Sequence, residues 1–138
     1  MNVRGFHHLA IQVRDLERVT AFYRDVLGLA EQARHHRPDG SLRAVWMGLP
    51  DGGFLALEAA DGEPVPEEFR HPRPGLFLLS LRIAREERQA AVEELARHGV
   101  QVLHETRWTV YFRDPEGNRV ALSHHPHDPA PPPASGPG

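Results

Sequence analysis

Residues 8–29 read HLAIQVRDLERVTAFYRDVLGL, and residues 78–100 read LLSLRIAREERQAAVEELARHGV. Set one above the other, the two stretches match element for element: a strand, a capped helix, and a glycine that ends it. In the first copy the alternation over Phe6–Val13 puts His8, Ala10 and Gln12 on one face and His7, Leu9, Ile11 and Val13 on the other. Asp15 sits where an N-cap belongs, and Leu16, Val19, Phe22, Tyr23, Val26 and Leu27 recur at helical spacing up to Gly28. In the second copy Leu76–Ile83 reads as the strand and Glu86–Arg97 as the helix, with Ala91, Val92 and Leu95 inward and Gly99 closing it. The chain is an internal duplication.

Outward from these stretches, each copy continues as three strands. The first set is expected at about Ala30–His36, Leu42–Gly48 and Gly53–Ala59, separated by Pro38-Asp39-Gly40 and Pro50-Asp51-Gly52-Gly53. The second set is expected at about Val100–Glu105, Trp108–Arg113 and Arg119–His125, the last two joined through Asp114-Pro115-Glu116-Gly117-Asn118. The fold class is therefore α+β: two tandem βαβββ units, each a curved mixed sheet with one helix on its outer face and a concave inner face left for a ligand or a partner. One domain spans residues 1–125, with units at about 4–60 and 75–125 and a proline-rich linker at 61–74. The tail 126–138, PHDPAPPPASGPG, has almost nothing to bury and is expected to be disordered.

Composition narrows the function. With 138 residues and 40% hydrophobic content the chain supports one domain burying roughly two-thirds of its unfolded surface. It lacks the run of roughly 18–20 apolar residues that spans a bilayer and the zones of a signal peptide, so the expected setting is the cytoplasm, with no membrane partner. There is no cysteine, which removes thiolate metal sites and thiol nucleophiles. All 16 basic residues are arginine, which removes Schiff-base chemistry and a Walker-type phosphate loop, because both need a lysine amine. A net charge of -3 with scattered basic residues offers no field for a nucleic-acid backbone.

FHHLAIQVRDLERVTAFYRDVLGL (residues 6–29) and VYFRDPEGNRVALSHH (residues 110–125) resemble the two signature ends of the vicinal oxygen chelate superfamily, the glyoxalase, bleomycin-resistance and extradiol dioxygenase group. The resemblance covers about Arg4 to His125 and implies the paired-unit fold and a homodimer. It also implies a divalent metal held by one residue from the first strand and one from the last strand of each unit. His8 falls on the first of these positions and Glu58 on the second, with Ala56 the alternative to Glu58. Leu78 and Ala121 fall on the matching positions of the second unit, and neither can bind a metal. His125, which shares a face with Ser123 and Ala121 by alternation, is the reserve third ligand.

Two functions of different class follow. The first is a binding protein that takes a small molecule in the cup of a curved sheet without a full metal site and with no cofactor. The second is a lyase, isomerase or dioxygenase in which a divalent metal polarises the substrate. His8 and Glu58 are the catalytic candidates, as an acid–base pair, and also the metal candidates; Gln12, Arg82, Ser123 and His125 are the ligand-binding candidates. Trp46, Met47, Trp108, Tyr111 and Phe112 read as core or pocket wall, and His35, His36 and His71 as surface residues.

Overall fold

The computed structural model describes residues 1–63 and 74–131. Of the expected linker and tail, residues 64–73 and 132–138, with His71 among them, lie outside the described residues. The chain divides into two compact units: the first copy together with Asp114–Gly117, and the second copy without that turn.

In the first unit the Asp15 carboxylate accepts a hydrogen bond from the Arg18 N–H at 3.2 Å and so starts α1 (Leu16–Ala21). The helix then widens into a π turn over Phe22–Val26, which buries the adjacent rings of Phe22 and Tyr23. Strands β1 (His8–Val13), β2 (Ala30–His36), β3 (Leu42–Gly48) and β4 (Phe54–Ala59) form a sheet in the order β1-β4-β3-β2. β1 runs parallel to β4 and the other pairs are antiparallel. α1 lies against β3 and β4, and Val19, Tyr23, Val45, Met47, Leu55 and Leu57 form the core between them. Each such side chain contributes roughly 1.5–3 kcal/mol by leaving water.

The second unit repeats the plan. β5 (Leu79–Arg82), α2 (Arg88–Arg97), β6 (His104–Glu105), β7 (Thr109–Arg113) and β8 (Arg119–Ser123) give a sheet in the order β5-β8-β7-β6, the same permutation as in the first. Val110, Phe112, Val120 and Leu122 are buried on one face of the sheet, and Leu95 is the buried residue of α2. The strands are shorter than the apolar pattern predicts. β5 pairs only with β8, whose five residues leave Leu76 and Phe77 without a neighbouring strand. β6 is cut to two residues because Val100 is held by the helix end, its N–H bonding to Leu95 O at 2.9 Å.

Both helices close on a glycine in the left-handed region. Gly28 and Gly99 both have φ of +73°, and the residue after each donates back, Leu29 to Tyr23 O and Val100 to Leu95 O, both at 2.9 Å. Nothing lies within 4 Å of a Cβ built at either glycine, so a side chain there costs only backbone strain. Gly28→Ala and Gly99→Ala should each lower the unfolding free energy by about 1–2 kcal/mol, read as a lower urea midpoint at unchanged slope.

Candidate functional site

Cross-strand partners project from one face of a sheet, so the register states what stands together. On the face of the first sheet opposite the core, one row is His8, Phe54, Gly48 and Ala30. The next is Ala10, Ala56, Trp46 and Ala33, and the third is Gln12, Glu58, Ala44 and His35. An aromatic ring from each strand joins a continuous series over these rows. His8 stacks on Phe54 at 4.8 Å and 12°, Phe54 on Trp46 at 4.6 Å and 30°, and Trp46 leans on His35 at 4.3 Å and 57°. Ala44 and Ala56 beneath them are 0% and 2% exposed.

This register separates the two residues expected to act as a pair. Gln12, not His8, stands opposite Glu58, and His8 lies four residues back along β1. At about 3.3 Å per residue the backbone offset along the strands is about 13 Å, so the two side chains could meet at one metal or one proton only by reaching toward each other along the sheet. The His8 ring is already engaged, with Nδ1 2.8 Å from His7 Nδ1 and one face on Phe54. Ala56, the alternative to Glu58, has no donor atom, and Leu78 and Ala121 are hydrocarbon. Among the described residues no group of three or more His, Asp or Glu is placed to hold a metal ion. The donor set does not fit the three-ligand site that metal catalysis needs.

On the second sheet Arg82, Ser123 and Thr109 form one row, and Ser80, Ala121, Tyr111 and His104 the next. The Ser123 and Thr109 hydroxyls are 2.9 Å apart. That single bond uses one hydroxyl proton and leaves the other to donate elsewhere. Arg82 is exposed and, among the described residues, makes no hydrogen bond or ion pair. Arg14, Arg24, Arg34, Arg85, Arg97 and Arg107, by contrast, each hold a carboxylate.

His125 is not on the strand face expected for it. β8 ends at Ser123, His124 bonds to Trp108 O through its N–H, and His125 enters a turn, exposed, with its ring edge-on to Trp108 at 5.0 Å. Proline at 126 offers no N–H to prolong the ladder. His124 is the buried one, 2% exposed, with Nδ1 2.6 Å from His127 O and Nε2 3.1 Å from Arg88 Nη1. Asp128, in the described part of the tail, pairs with Arg107 at 2.6 Å.

Two further groups carry weight that their sequence positions hide. His35 is half-buried, and its Nε2 is buried with no hydrogen-bond partner. Its neighbour His36 faces the other way, and a register shift between Glu31 and Ala33 breaks simple alternation, so only the register reveals which histidine is inward. The turn Asp114–Gly117 is more than a hairpin. Asp114, 5% exposed, accepts a hydrogen bond from the Tyr23 hydroxyl at 2.9 Å. The Glu116 carboxylate accepts from the Arg14 and Asp15 N–H groups at 2.6 and 2.7 Å, just ahead of α1. Burial first, then the charge and hydrogen bond of Asp114, push the Tyr23 phenol well above its ordinary range.

Known proteins share this architecture. A glyoxalase/dioxygenase from Nostoc punctiforme superposes with a TM-score of 0.78 at 23% identity, over 91% of this chain and 94% of that one. FosX, a fosfomycin resistance protein from Listeria monocytogenes solved with Mn(II) and sulfate, gives 0.70 at 21% over 89% and 93%. A lactoylglutathione lyase from Agrobacterium tumefaciens gives 0.65 at 21% over 91% and 96%. At such identities the likeness establishes the fold. The sequence model of the Glyoxalase/Bleomycin resistance protein/Dioxygenase superfamily matches residues 5–122, most of the chain. With the duplicated unit and the repeated strand order beside that match, the chain belongs to the glyoxalase/bleomycin resistance protein/dioxygenase superfamily.

Proposed function

We propose that the protein binds a small anionic molecule on the second sheet, with Arg82 as the anchor, and that it does so without a bound metal. The observation that carries this reading is an exposed arginine with no carboxylate partner among the described residues, standing in one row with a hydroxyl pair that has a proton to spare. Guanidinium takes a carboxylate or phosphate through two parallel N–H bonds, and the hydroxyl adds a third donor. FosX was solved with sulfate and, in another crystal, with 1S,2S-dihydroxypropylphosphonic acid, so a relative of this fold accepts anions of that size.

The second reading, a metal-dependent enzyme, is favoured by the Mn(II) in those same FosX structures. Leu78 and Ala121 stand against it here. Elemental analysis after dialysis should find no stoichiometric divalent metal, and phosphate binding should survive chelator treatment. One equivalent of metal per chain, lost in His8→Ala, would reverse the choice.

We also read the protein as a cytoplasmic homodimer. No described helix is long and apolar enough to cross a membrane. Phe6 and Leu76 are 99% and 94% exposed, apolar surface that a second copy would cover. Light scattering at micromolar concentration should give twice the chain mass, and Phe6→Glu should shift it toward the monomer.

A further inference from the structure

We propose that Arg88 is a positioning residue for the anion site: from the start of α2 its guanidinium fixes the two chain segments between which the Thr109 and Ser123 hydroxyls stand. The inference rests on the binding proposed at Arg82 and names what sets the neutral donors of that site in place. Thr109 and Ser123 are the last pair of the β7–β8 register, so the placing of their hydroxyls depends on what holds the chain just beyond them. Beyond Thr109 lies the loop 105–108, and beyond Ser123 lies His124. Both are tied to Arg88.

Arg88 Nη2 donates to Thr106 O at 2.8 Å, while Nη1 donates to Arg107 O at 3.2 Å and to His124 Nε2 at 3.1 Å. Thr106 passes the constraint on. Its hydroxyl oxygen accepts the Thr109 N–H at 3.1 Å, and its own N–H donates to Thr109 O at 2.8 Å. From the other segment the His124 N–H donates to Trp108 O at 2.9 Å. One planar group thus reaches both segments through three acceptors, a match that a point charge does not make.

The grip does not depend on an ion pair. Glu105 is 3.8 Å from Arg88 Nη2 and half-exposed, whereas the Arg88 side chain is only 18% exposed and costly to leave without acceptors. An arginine donates and never accepts, so His124 Nε2 is the acceptor and the ring proton sits on Nδ1, which donates to His127 O at 2.6 Å. That locks the imidazole in one tautomer and one orientation. His124 and Leu122 are buried on one side of the chain, and Ser123 between them points to the other, so Arg88 acts through its neighbours and not on the anion.

The test is a double-mutant cycle on phosphate affinity, measured by calorimetry on the full chain. Arg88→Gln should weaken phosphate by about two- to tenfold, roughly the worth of one neutral hydrogen bond. In the Ser123→Ala/Thr109→Val background, where no hydroxyl is left to place, the same substitution should cost nothing more, whereas a general loosening of the unit would cost the same again. Arg88→Lys should resemble Arg88→Gln, because it keeps the charge and loses the fork. By NMR, His124 should carry its ring proton on Nδ1 in the wild type. The Thr109 and His124 amides should exchange faster in Arg88→Gln, while the central β7–β8 amides keep their protection. If circular dichroism shows that Arg88→Gln does not fold, His124→Phe removes one of the three acceptors and is read the same way. Full phosphate affinity in Arg88→Gln, an equal loss with and without the hydroxyls, or a His124 proton on Nε2 would overturn the proposal and leave the Arg82 reading standing. No phosphate binding to the wild type, or full affinity in Arg82→Gln, would overturn that reading and this inference with it.

Discussion

Tyr23→Phe should destabilise the protein by about 1.5–3 kcal/mol, the worth of a buried hydrogen bond to a charged group. Tyr23 is 0% exposed, its hydroxyl donates to Asp114 at 2.9 Å, and the variant leaves that carboxylate oxygen without its donor. Asp114→Ala should cost more, about 3 kcal/mol or above, because it orphans the buried phenol and also removes the acceptor for the Glu116 N–H at 2.9 Å. The double variant should fall well short of the sum of the two, since the residues touch. The same pair sets an alkaline limit. The folded phenol resists ionisation, while the unfolded one ionises near pH 10, about the ordinary value. Above that pH the unfolded chain binds fewer protons than the folded one, so stability must fall as pH rises. Below it the contribution is fully present. Urea midpoints measured from pH 7 to 11 should therefore decline in the wild type and decline less in Tyr23→Phe.

Arg82→Gln should weaken phosphate or a small phosphonate by about 10- to 150-fold, equal to about 1.5–3 kcal/mol, while leaving the melting temperature nearly unaltered. The side chain is exposed and holds no carboxylate among the described residues, so little of the fold depends on it. Arg82→Lys is the informative companion. Lysine keeps the charge but lacks the planar fork, so it should recover only part of the affinity. Ser123→Ala should cost less than Arg82→Gln, because it removes a neutral donor, and it leaves Thr109 Oγ1 with a free proton. Calorimetric titrations of the three variants at one ionic strength would rank them.

The duplication was legible because helices announce themselves locally: an N-cap aspartate at 15, apolar residues at helical spacing, and a glycine at 28 and again at 99. Alternation gives the faces of Arg82 and of Ser123 within their own strands, but that the two stand side by side rests on the parallel register of β5 with β8. What stayed hidden depended on register between strands distant in the chain. His8 and Glu58 share a face, yet the parallel pairing of β1 with β4 sets them four residues apart, and nothing within either strand encodes that offset. His35 was hidden for a related reason, because the register shift in β2 decides its face. His125 was misplaced because the strand stops where His124 turns in to bond with Trp108 and His127. Asp114 and Glu116 carry no local sign of their partners, since Tyr23 and the start of α1 lie roughly a hundred residues away.

The proposed hold of Arg82 on an anion, without a metal, can be read from the guanidinium itself. In chelator-treated protein, the Arg82 Nε–H resonance, assigned by its loss in Arg82→Gln, should shift saturably as phosphate is added, with the same dissociation constant that calorimetry gives. A resonance that stays still while phosphate binds, or phosphate binding that begins only when Mn(II) is restored, would contradict it.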